Sequence, residues 1–332
     1  MAARQLVNDP DDFVREALEG LQRAHPDLVR YHEDPAYLVR ARQADKVALV
    51  SGGGSGHEPL HTGFVGSGML DAAVPGAVFA SPTAFQIRAA IAAADRGRGV
   101  LLIVKNYTGD VLNFRIAAEL AADDGIETRT VLVDDDLATD GQEDGAPGRR
   151  GTAAVVAVEK ICGAAAENGA SLDELAALGE RIVSSARTLA LALEACTQPG
   201  QDRPSFDLPD GEIEFGVGIH GEHGVGRRPY APVRELVGDL TKPLVAALGL
   251  DRGDEVIAIV NGLGATHGLE LSVVHRELGG FLDGLGVRIG RALVGAYVTA
   301  LDMRGCSITL LRADDELLAL WDAPVRTPAL TW

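Results

Sequence analysis

Cysteine, basic charge and long apolar runs are all scarce in this sequence. Its three cysteines, Cys162, Cys196 and Cys306, form no CxxC motif and have no histidine at metal-ligand spacing, so we expect buried free thiols. The 30 Lys and Arg residues face 48 Asp and Glu residues, and the net charge of −18 disfavours nucleic acid and anionic membranes as partners. We expect neither a membrane-spanning helix nor a secretory signal, because no long apolar run occurs. These absences favour a cytoplasmic protein.

The length and the order of apolar patterns predict two domains. A chain of 332 residues with 46% hydrophobic residues can form about two cores. The best candidate linker is 197–210, which holds Pro199, Pro204 and Pro209. Strands alternate with helices on both sides of it, which is typical of α/β layers. We therefore predict two α/β domains, residues 1–200 and 201–332, each a sheet flanked by helices.

Apolar periodicity and capping residues give a coarse assignment of elements. The predicted helices cover 10–25, 84–94, 111–122, 152–168, 171–196, 233–248 and a segment that ends near residue 285. The predicted strands cover 47–50, 100–104, 128–133, 213–219, 255–260, 291–298 and 307–311.

One histidine lies where a predicted strand meets a glycine-rich loop. Apolar residues alternate along 213–219, and His220 follows directly, with glycines soon after it. Such a histidine can take part in a ligand site, or it can simply line a cleft and form hydrogen bonds. His223 is close enough to suggest a metal pair, but no helix carries the two residues and no third ligand is evident.

A second glycine-rich stretch, Ser51–Pro59, follows the first predicted strand. Its consecutive glycines leave backbone amides open to a small polar ligand. It lacks the lysine and hydroxyl residue of a P-loop, and no glycine completes a GxGxxG pattern. A generic tight turn is the alternative, but His57 and Glu58 directly after the glycines favour a site.

Polar residues also follow the next predicted strand, at Lys105–Asp110. Ligands in open α/β sheets sit beyond the carboxyl ends of strands, so this segment and Ser51–Pro59 are expected to face one crevice. Asp110 could instead cap a helix, and Lys105 could be a surface residue. The run 134–136 could hold magnesium or form a solvated loop, and 261–268 could be a second set of exposed amides or only a turn.

Together these motifs resemble the K subunit of two-subunit dihydroxyacetone kinases. The resemblance covers essentially the whole chain, and its motifs recur in the same order. They are LVND at 6–9, SGGGSGHEP at 51–59, KNYTGDVLNF at 105–114, EFGVGIHGE at 214–222, LDM at 301–303, LWDAP at 320–324 and TPAL at 327–330.

The resemblance implies roles for individual residues. His220, in the C-terminal domain, matches the histidine that bonds covalently to the substrate carbonyl as a hemiaminal. Asp110 matches the carboxylate near the hydroxyl to be phosphorylated, and His57 matches a histidine that hydrogen-bonds the substrate and assists catalysis. Further substrate contacts are expected from Gly54, Ser55, Gly56 and Lys105. The implied substrate site lies at strand ends near the junction of the two domains.

The resemblance also implies the partners. This chain is expected to bind dihydroxyacetone and to carry no metal or nucleotide itself. The phosphoryl donor is expected on a separate L subunit that holds ADP or ATP and magnesium, recharged by a phosphotransferase-system phosphocarrier (an M subunit) or by ATP exchange. The chain ends at Trp332 with no appended nucleotide-binding domain, so it is not expected to be a complete kinase alone. A homodimer is a family expectation.

Two departures leave the substrate open. His223 and His267 stand where the family more often has proline, and both positions could border the pocket or the subunit interface. The chain could therefore act on a related keto-sugar such as erythrulose. It could also be a non-catalytic paralogue that senses the ligand as a coactivator.

Overall fold

The computed structural model describes residues 5–141 and 148–332, and its contacts divide the chain into two compact units. The unit that contains His57 comprises 5–133, 155–182 and 319–332, and we call it the His57 unit. The unit that contains His220 comprises the described residues of 134–154 and 183–318, and we call it the His220 unit. Both units are discontinuous in sequence, so the division differs from the predicted boundary at residue 200.

The helices and strands alternate along most of the chain. The helices are α1 (Phe13–Ala24), α2 (Ala84–Ala94), α3 (Thr108–Asp123), α4 (Ala154–Glu167), α5 (Leu172–Ser184), α6 (Val233–Leu248), α7 (Gly268–Leu285) and α8 (Asp315–Asp322). The strands are β1 (Val29–His32), β2 (Tyr37–Arg40), β3 (Ala48–Ser55), β4 (Ala72–Val78), β5 (Val100–Lys105), β6 (Thr128–Val133), β7 (Ala186–Glu194), β8 (Glu212–Phe215), β9 (Gly226–Pro229), β10 (Glu255–Gly262), β11 (Arg288–Gly295) and β12 (Arg304–Ala313). No described helix has the length and apolar character needed to cross a membrane.

The His57 unit is built on a six-stranded sheet with the order β1-β2-β4-β3-β5-β6. The strands β4, β3, β5 and β6 are parallel, whereas β1 and β2 join the edge in antiparallel pairs. Helices α2 and α3 pack their buried residues against this sheet in one apolar core. The parallel strands bring the carboxyl ends of β3 and β5 to the same edge, which is where a ligand site is expected.

Residues 51–55 of the glycine-rich segment continue the strand, so the prediction that the strand ends at residue 50 is wrong. β3 continues through Gly52 and Gly53 to Ser55, in parallel register with β4. A Cβ atom on Gly52 would lie 2.4 Å from the carbonyl oxygen of Val74. Glycine is therefore needed here because the neighbouring backbone approaches too closely for a side chain, and not because the chain turns.

The His220 unit is built on a second six-stranded sheet, with the order β11-β10-β12-β7-β8-β9. Only β10 and β11 pair in parallel, and the other neighbours are antiparallel. Helices α6 and α7 contribute buried residues to the apolar core of this unit. Two mixed sheets flanked by helices confirm the predicted α/β fold class.

The predicted helix over 171–196 is wrong in its second half. Helix α5 ends at Ser184, and Ala186–Glu194 forms β7 between β12 and β8. Leucine and alanine favour helices in isolation, but here the sheet on both sides of the segment determines its structure. The pairing of β7 with β12 also explains why these residues belong to the His220 unit.

Candidate functional site

Lys105 ends β5 and lies almost wholly inside the His57 unit. Its side chain is 1% exposed. The ammonium Nζ donates to the carbonyl oxygen of Gly52 at 3.2 Å and contacts His61 Nε2 at 2.9 Å and Asp110 Oδ2 at 3.5 Å. These three acceptors match the three protons of an ammonium group. The interpretation of Lys105 as a surface residue is therefore wrong.

Asp110 lies in the first turn of α3, and the N-cap of this helix is Tyr107. Asp110 lies three residues after the N-cap, so the interpretation of Asp110 as the N-cap residue is wrong. The positive end of the helix dipole favours a carboxylate here. Asp110 is buried, and its Oδ1 atom has no hydrogen-bond partner among the described residues. A buried acceptor without a partner is costly, and a ligand hydroxyl or a water at this atom would offset that cost.

The third member of this cluster is the backbone of β3. A Cβ atom on Gly53 would lie 2.5 Å from Lys105 Nζ and 3.3 Å from Asp110 Oδ2. The strand therefore runs directly against both charged groups, which only glycine permits. The predicted contact residues Gly54 and Ser55 follow in the same strand, where the Ser55 hydroxyl donates to the Gly76 carbonyl at 2.7 Å.

His57 and Gly56 follow β3 directly. The Gly56 amide donates to the Glu58 carboxylate at 2.9 Å, and this hydrogen bond stabilises the turn after β3. The His57 ring is 1% exposed and stacks on Phe79, with 5.1 Å between the ring centroids. This ring is therefore held in one orientation by packing.

A histidine and a glutamate that sequence reasoning missed lie behind Lys105. His61 Nδ1 lies 2.6 Å from Glu159 Oε1 and 3.0 Å from Ser51 Oγ, and the Ser51 hydroxyl donates to the Ile103 carbonyl. Burial holds the pKa of His61 well below its usual 6.5, and nearby positive charge lowers it further. Burial raises the pKa of Glu159 to about 8. The sequence signal that could have identified Glu159 is the adjacent charged pair Glu159 and Lys160, which interrupts the apolar start of α4.

His220 lies on a turn in the other unit. Strand β8 ends at Phe215, so the prediction that the strand runs to residue 219 and delivers the histidine directly is wrong. The His220 side chain is 24% exposed, and its backbone amide donates to Glu222 Oε2 at 2.7 Å. Gly221, at φ 74°, continues the turn. That the His220 side chain lies close to Asp110 and His57 stays a prediction.

Glu222 provides a fixed negative charge beside the His220 ring. Its Oε1 atom lies 3.6 Å from His220 Nδ1 and 3.5 Å from Arg150 Nη1. Burial alone would raise the pKa of Glu222, but the interactions with His220 and Arg150 outweigh it and hold the pKa at about 2. Glu222 is therefore ionised at neutral pH, and it favours a proton on the Nδ1 atom of His220.

The two metal interpretations find no support among the described residues. No group of three or more His, Cys, Asp and Glu side chains there is arranged to hold a metal ion. His223 is exposed and lies 3.5 Å from Glu214. The three acids of 134–136 bind protein groups instead: Asp134 pairs with Arg149, Asp135 accepts from Thr152 and Ala154, and Asp136 pairs with Arg150.

The other sequence alternatives also have structural explanations. The Asn261 side chain donates to the Val298 carbonyl and accepts the amides of Tyr297 and Val298, so it ties β10 to the chain after β11. His267 is the N-cap residue of α7 and lies 3.4 Å from Glu270. The three cysteines are buried free thiols, as predicted.

Comparison with known proteins identifies the family. The Dak1 domain model matches residues 19–329. The dihydroxyacetone-binding subunit DhaK of the phosphoenolpyruvate-dependent dihydroxyacetone kinase from Escherichia coli K12 is 48% identical, over 99% of both chains. The dihydroxyacetone kinase of C. freundii, solved with AMP-PNP and Mg²⁺, has a TM-score of 0.88 and 34% identity, over 98% of this chain and 60% of that one.

A relative with a different role is also similar. The dihydroxyacetone kinase operon coactivator DhaQ has a TM-score of 0.89 and 33% identity, over 95% of this chain and 96% of that chain. The identity is higher to the kinase subunit than to the coactivator. The chain belongs to the Dak1 domain family, in which its full-length E. coli relative is a subunit of a phosphotransferase.

Proposed function

We propose that this chain is the substrate-binding catalytic subunit of a dihydroxyacetone kinase. It binds dihydroxyacetone covalently through His220 and presents a terminal hydroxyl near Asp110 to a phosphoryl donor on a partner subunit. The product is dihydroxyacetone phosphate. The proposal is supported by the DhaK relative at 48% identity and by the presence of every residue that the family resemblance requires.

The observation that carries this proposal is the buried Asp110 carboxylate. One of its oxygens faces the Lys105 ammonium, and the other has no hydrogen-bond partner among the described residues. A substrate hydroxyl would satisfy this second oxygen. As the hydroxyl oxygen attacks the phosphoryl group, its proton passes to Asp110, and Lys105 offsets the surrounding negative charge. The rest of the rate enhancement comes mainly from positioning the hydroxyl for attack.

His220 has the environment that covalent capture needs. When its Nε2 atom bonds to the carbonyl carbon, the C=O electron pair moves to oxygen, and the ring gains positive charge. The ionised Glu222 beside Nδ1 stabilises that charge. The ring then loses the Nδ1 proton, and the alkoxide gains a proton, which completes a neutral hemiaminal.

Covalent capture would explain selectivity for a ketone. An imidazole adds to an activated carbonyl but not to an alcohol, so it separates dihydroxyacetone from glycerol, which is of nearly the same size. Hydrogen bonds alone discriminate weakly between two such similar polyols. His57 and Lys105, both buried, would then contact the substrate oxygens, together with the strand backbone of Gly54 and Ser55 and the turn at Gly56.

The donor is proposed to lie on another chain. The E. coli relative, which is matched over 99% of both chains, is named the dihydroxyacetone-binding subunit of its kinase. By this similarity we assign the adenine nucleotide and magnesium to a separate L subunit, recharged by a phosphocarrier or by ATP exchange. The acidic net charge and the buried thiols fit a cytoplasmic subunit. A homodimer remains a prediction that sedimentation checks.

The test combines binding and turnover. The chain is incubated with [2-¹³C]dihydroxyacetone, and the proposal predicts that the carbonyl resonance moves to the tetrahedral region and that phosphorylated product forms once the L subunit is added. A panel with glyceraldehyde and erythrulose identifies the preferred carbonyl compound. If no adduct and no product form with any of them, the proposal is wrong.

The similarity to the coactivator DhaQ supports one alternative, a subunit that senses the ligand without transferring phosphate. The two functions differ in one outcome of the same experiment. An adduct that forms normally but yields no phosphorylated product with the L subunit favours the sensor.

A further inference from the structure

We propose that His61, held by Glu159 and Ser51, is a positioning residue that keeps the Lys105 ammonium aimed at Asp110. The inference rests on the proposed role of Asp110 as the proton acceptor. It concerns two buried residues, since His61 is 4% exposed and Glu159 is fully buried.

The direction of the hydrogen bonds follows from the chemistry of lysine. An ammonium group only donates, so His61 Nε2, 2.9 Å from Lys105 Nζ, must accept. A neutral imidazole that accepts at Nε2 carries its proton at Nδ1. That proton points at Glu159 Oε1, 2.6 Å away, with Ser51 Oγ at 3.0 Å. The Ser51 hydroxyl is already committed as a donor to the Ile103 carbonyl, so it can only accept from His61.

Glu159 fits this chain of hydrogen bonds in either protonation state. Its Oε1 atom accepts from His61 whether or not a proton occupies Oε2, which is buried and has no hydrogen-bond partner among the described residues. The opposite arrangement, with a proton on Oε1 donated to Nδ1, would place a proton on Nε2 facing the Lys105 ammonium. The low pKa of His61 agrees with a neutral ring.

The consequence for Lys105 is a fixed direction. Its other two acceptors are the Gly52 carbonyl and Asp110 Oδ2. Without His61 the ammonium loses one of three acceptors in a site that water does not reach freely, and it would move. The titratable groups around it are His57 and His61 after β3, Asp110 on α3 and Glu159 on α4. Asp110 would then lose the contact between its Oδ2 atom and the ammonium.

The test uses three variants and the L subunit. In His61→Leu, kcat should fall on the order of tenfold or more, because the ammonium is no longer held toward Asp110. In His61→Gln, the side-chain oxygen can accept from Lys105 and the amide can donate to Glu159, so kcat should stay within about threefold of the wild type. His32→Leu, a surface control at an exposed histidine that stacks on Tyr37, should leave kcat unchanged.

Adduct formation separates this inference from the proposed function. The ¹³C signal of the His220 adduct should persist in all three variants, because capture does not need Lys105 to be charged. If the wild type itself forms no adduct and no product, the proposed function fails. If the wild type is active and His61→Leu keeps the wild-type kcat, or His61→Gln loses as much activity as His61→Leu, only this inference fails.

A measurement on the unmodified protein keeps the inference testable if His61→Leu does not fold. Histidine-selective ¹⁵N labelling reports the tautomer of each ring. The inference requires a neutral His61 with its proton on Nδ1 at neutral pH. A proton on Nε2, or a charged ring, would overturn it.

Discussion

The two units present their functional side chains in opposite ways. In the His57 unit, Lys105 and Asp110 are buried side by side, and the strand backbone of Gly53 presses against both. In the His220 unit, the histidine lies on a turn, 24% exposed, and the Glu222 carboxylate lies beside its ring. The difference suits two tasks. Proton transfer needs fixed charges away from water, whereas capture of a ketone needs a nucleophile that the ligand can reach.

The largest loss of turnover should come from changing the exposed histidine of the His220 unit. His220→Ala removes the nucleophile, so the hemiaminal should be lost completely, and turnover should fall by on the order of a thousandfold. The fold should survive, because the residue lies on a turn and not in a core. The measurements are the ¹³C adduct signal and thermal unfolding. An adduct that persists in this variant would contradict the assignment of the nucleophile.

Asp110→Asn should separate capture from transfer. The amide keeps the size of the carboxylate but cannot accept a proton in the same way, so kcat should fall by roughly a hundredfold or more. The adduct should still form. Single-turnover phosphorylation measures the effect, and an Asp124→Asn variant on the exposed end of α3 provides the control. Unchanged turnover would exclude Asp110 as the base.

Gly53→Ala tests how closely the strand must approach the two charges. The added methyl would lie 2.5 Å from Lys105 Nζ, so the ammonium must shift away from Asp110. We expect a loss of about 1–3 kcal/mol in the free energy of unfolding and a fall in kcat. Gly53 is at φ 159°, so the control needs a similar φ: Gly226 is at φ 144° with open space around it, and Gly226→Ala should cost less than Gly53→Ala. Chemical denaturation of both variants compares them.

The smallest effect concerns the acid beside His220. The pKa of Glu222 is about 2 in the folded chain and about 4.5 ordinarily. Because it is lowered, Glu222 contributes stability that is present above pH 4.5 and lost as the pH falls toward 2. Glu222→Gln should therefore flatten the acid side of the stability curve and slow adduct formation a few-fold. A stability difference that is unchanged between pH 5 and pH 2.5 would contradict this account.

The sequence predicted the site residues that lie just after the ends of strands. Lys105, Asp110 and His57 all follow predicted strands, and the structure places the backbone of Gly53 against Lys105 and Asp110 because β3 and β5 are parallel neighbours. The sequence did not predict the contact between His61 and Glu159, since it joins a loop to a distant helix, and the charged residues 159–160 do not by themselves show what they contact. Strand β7 was missed because its pairing is also non-local. Its leucines and alanines fit a helix until its two neighbouring strands are known.

The role of His220 is the central claim, and the crystal structure of this chain soaked with dihydroxyacetone tests it most directly. We predict continuous density between Nε2 of His220 and a tetrahedral carbon of the ligand, with a terminal hydroxyl within hydrogen-bond distance of Asp110. A ligand bound without that covalent bond, or with its hydroxyls directed away from Asp110, would contradict the account.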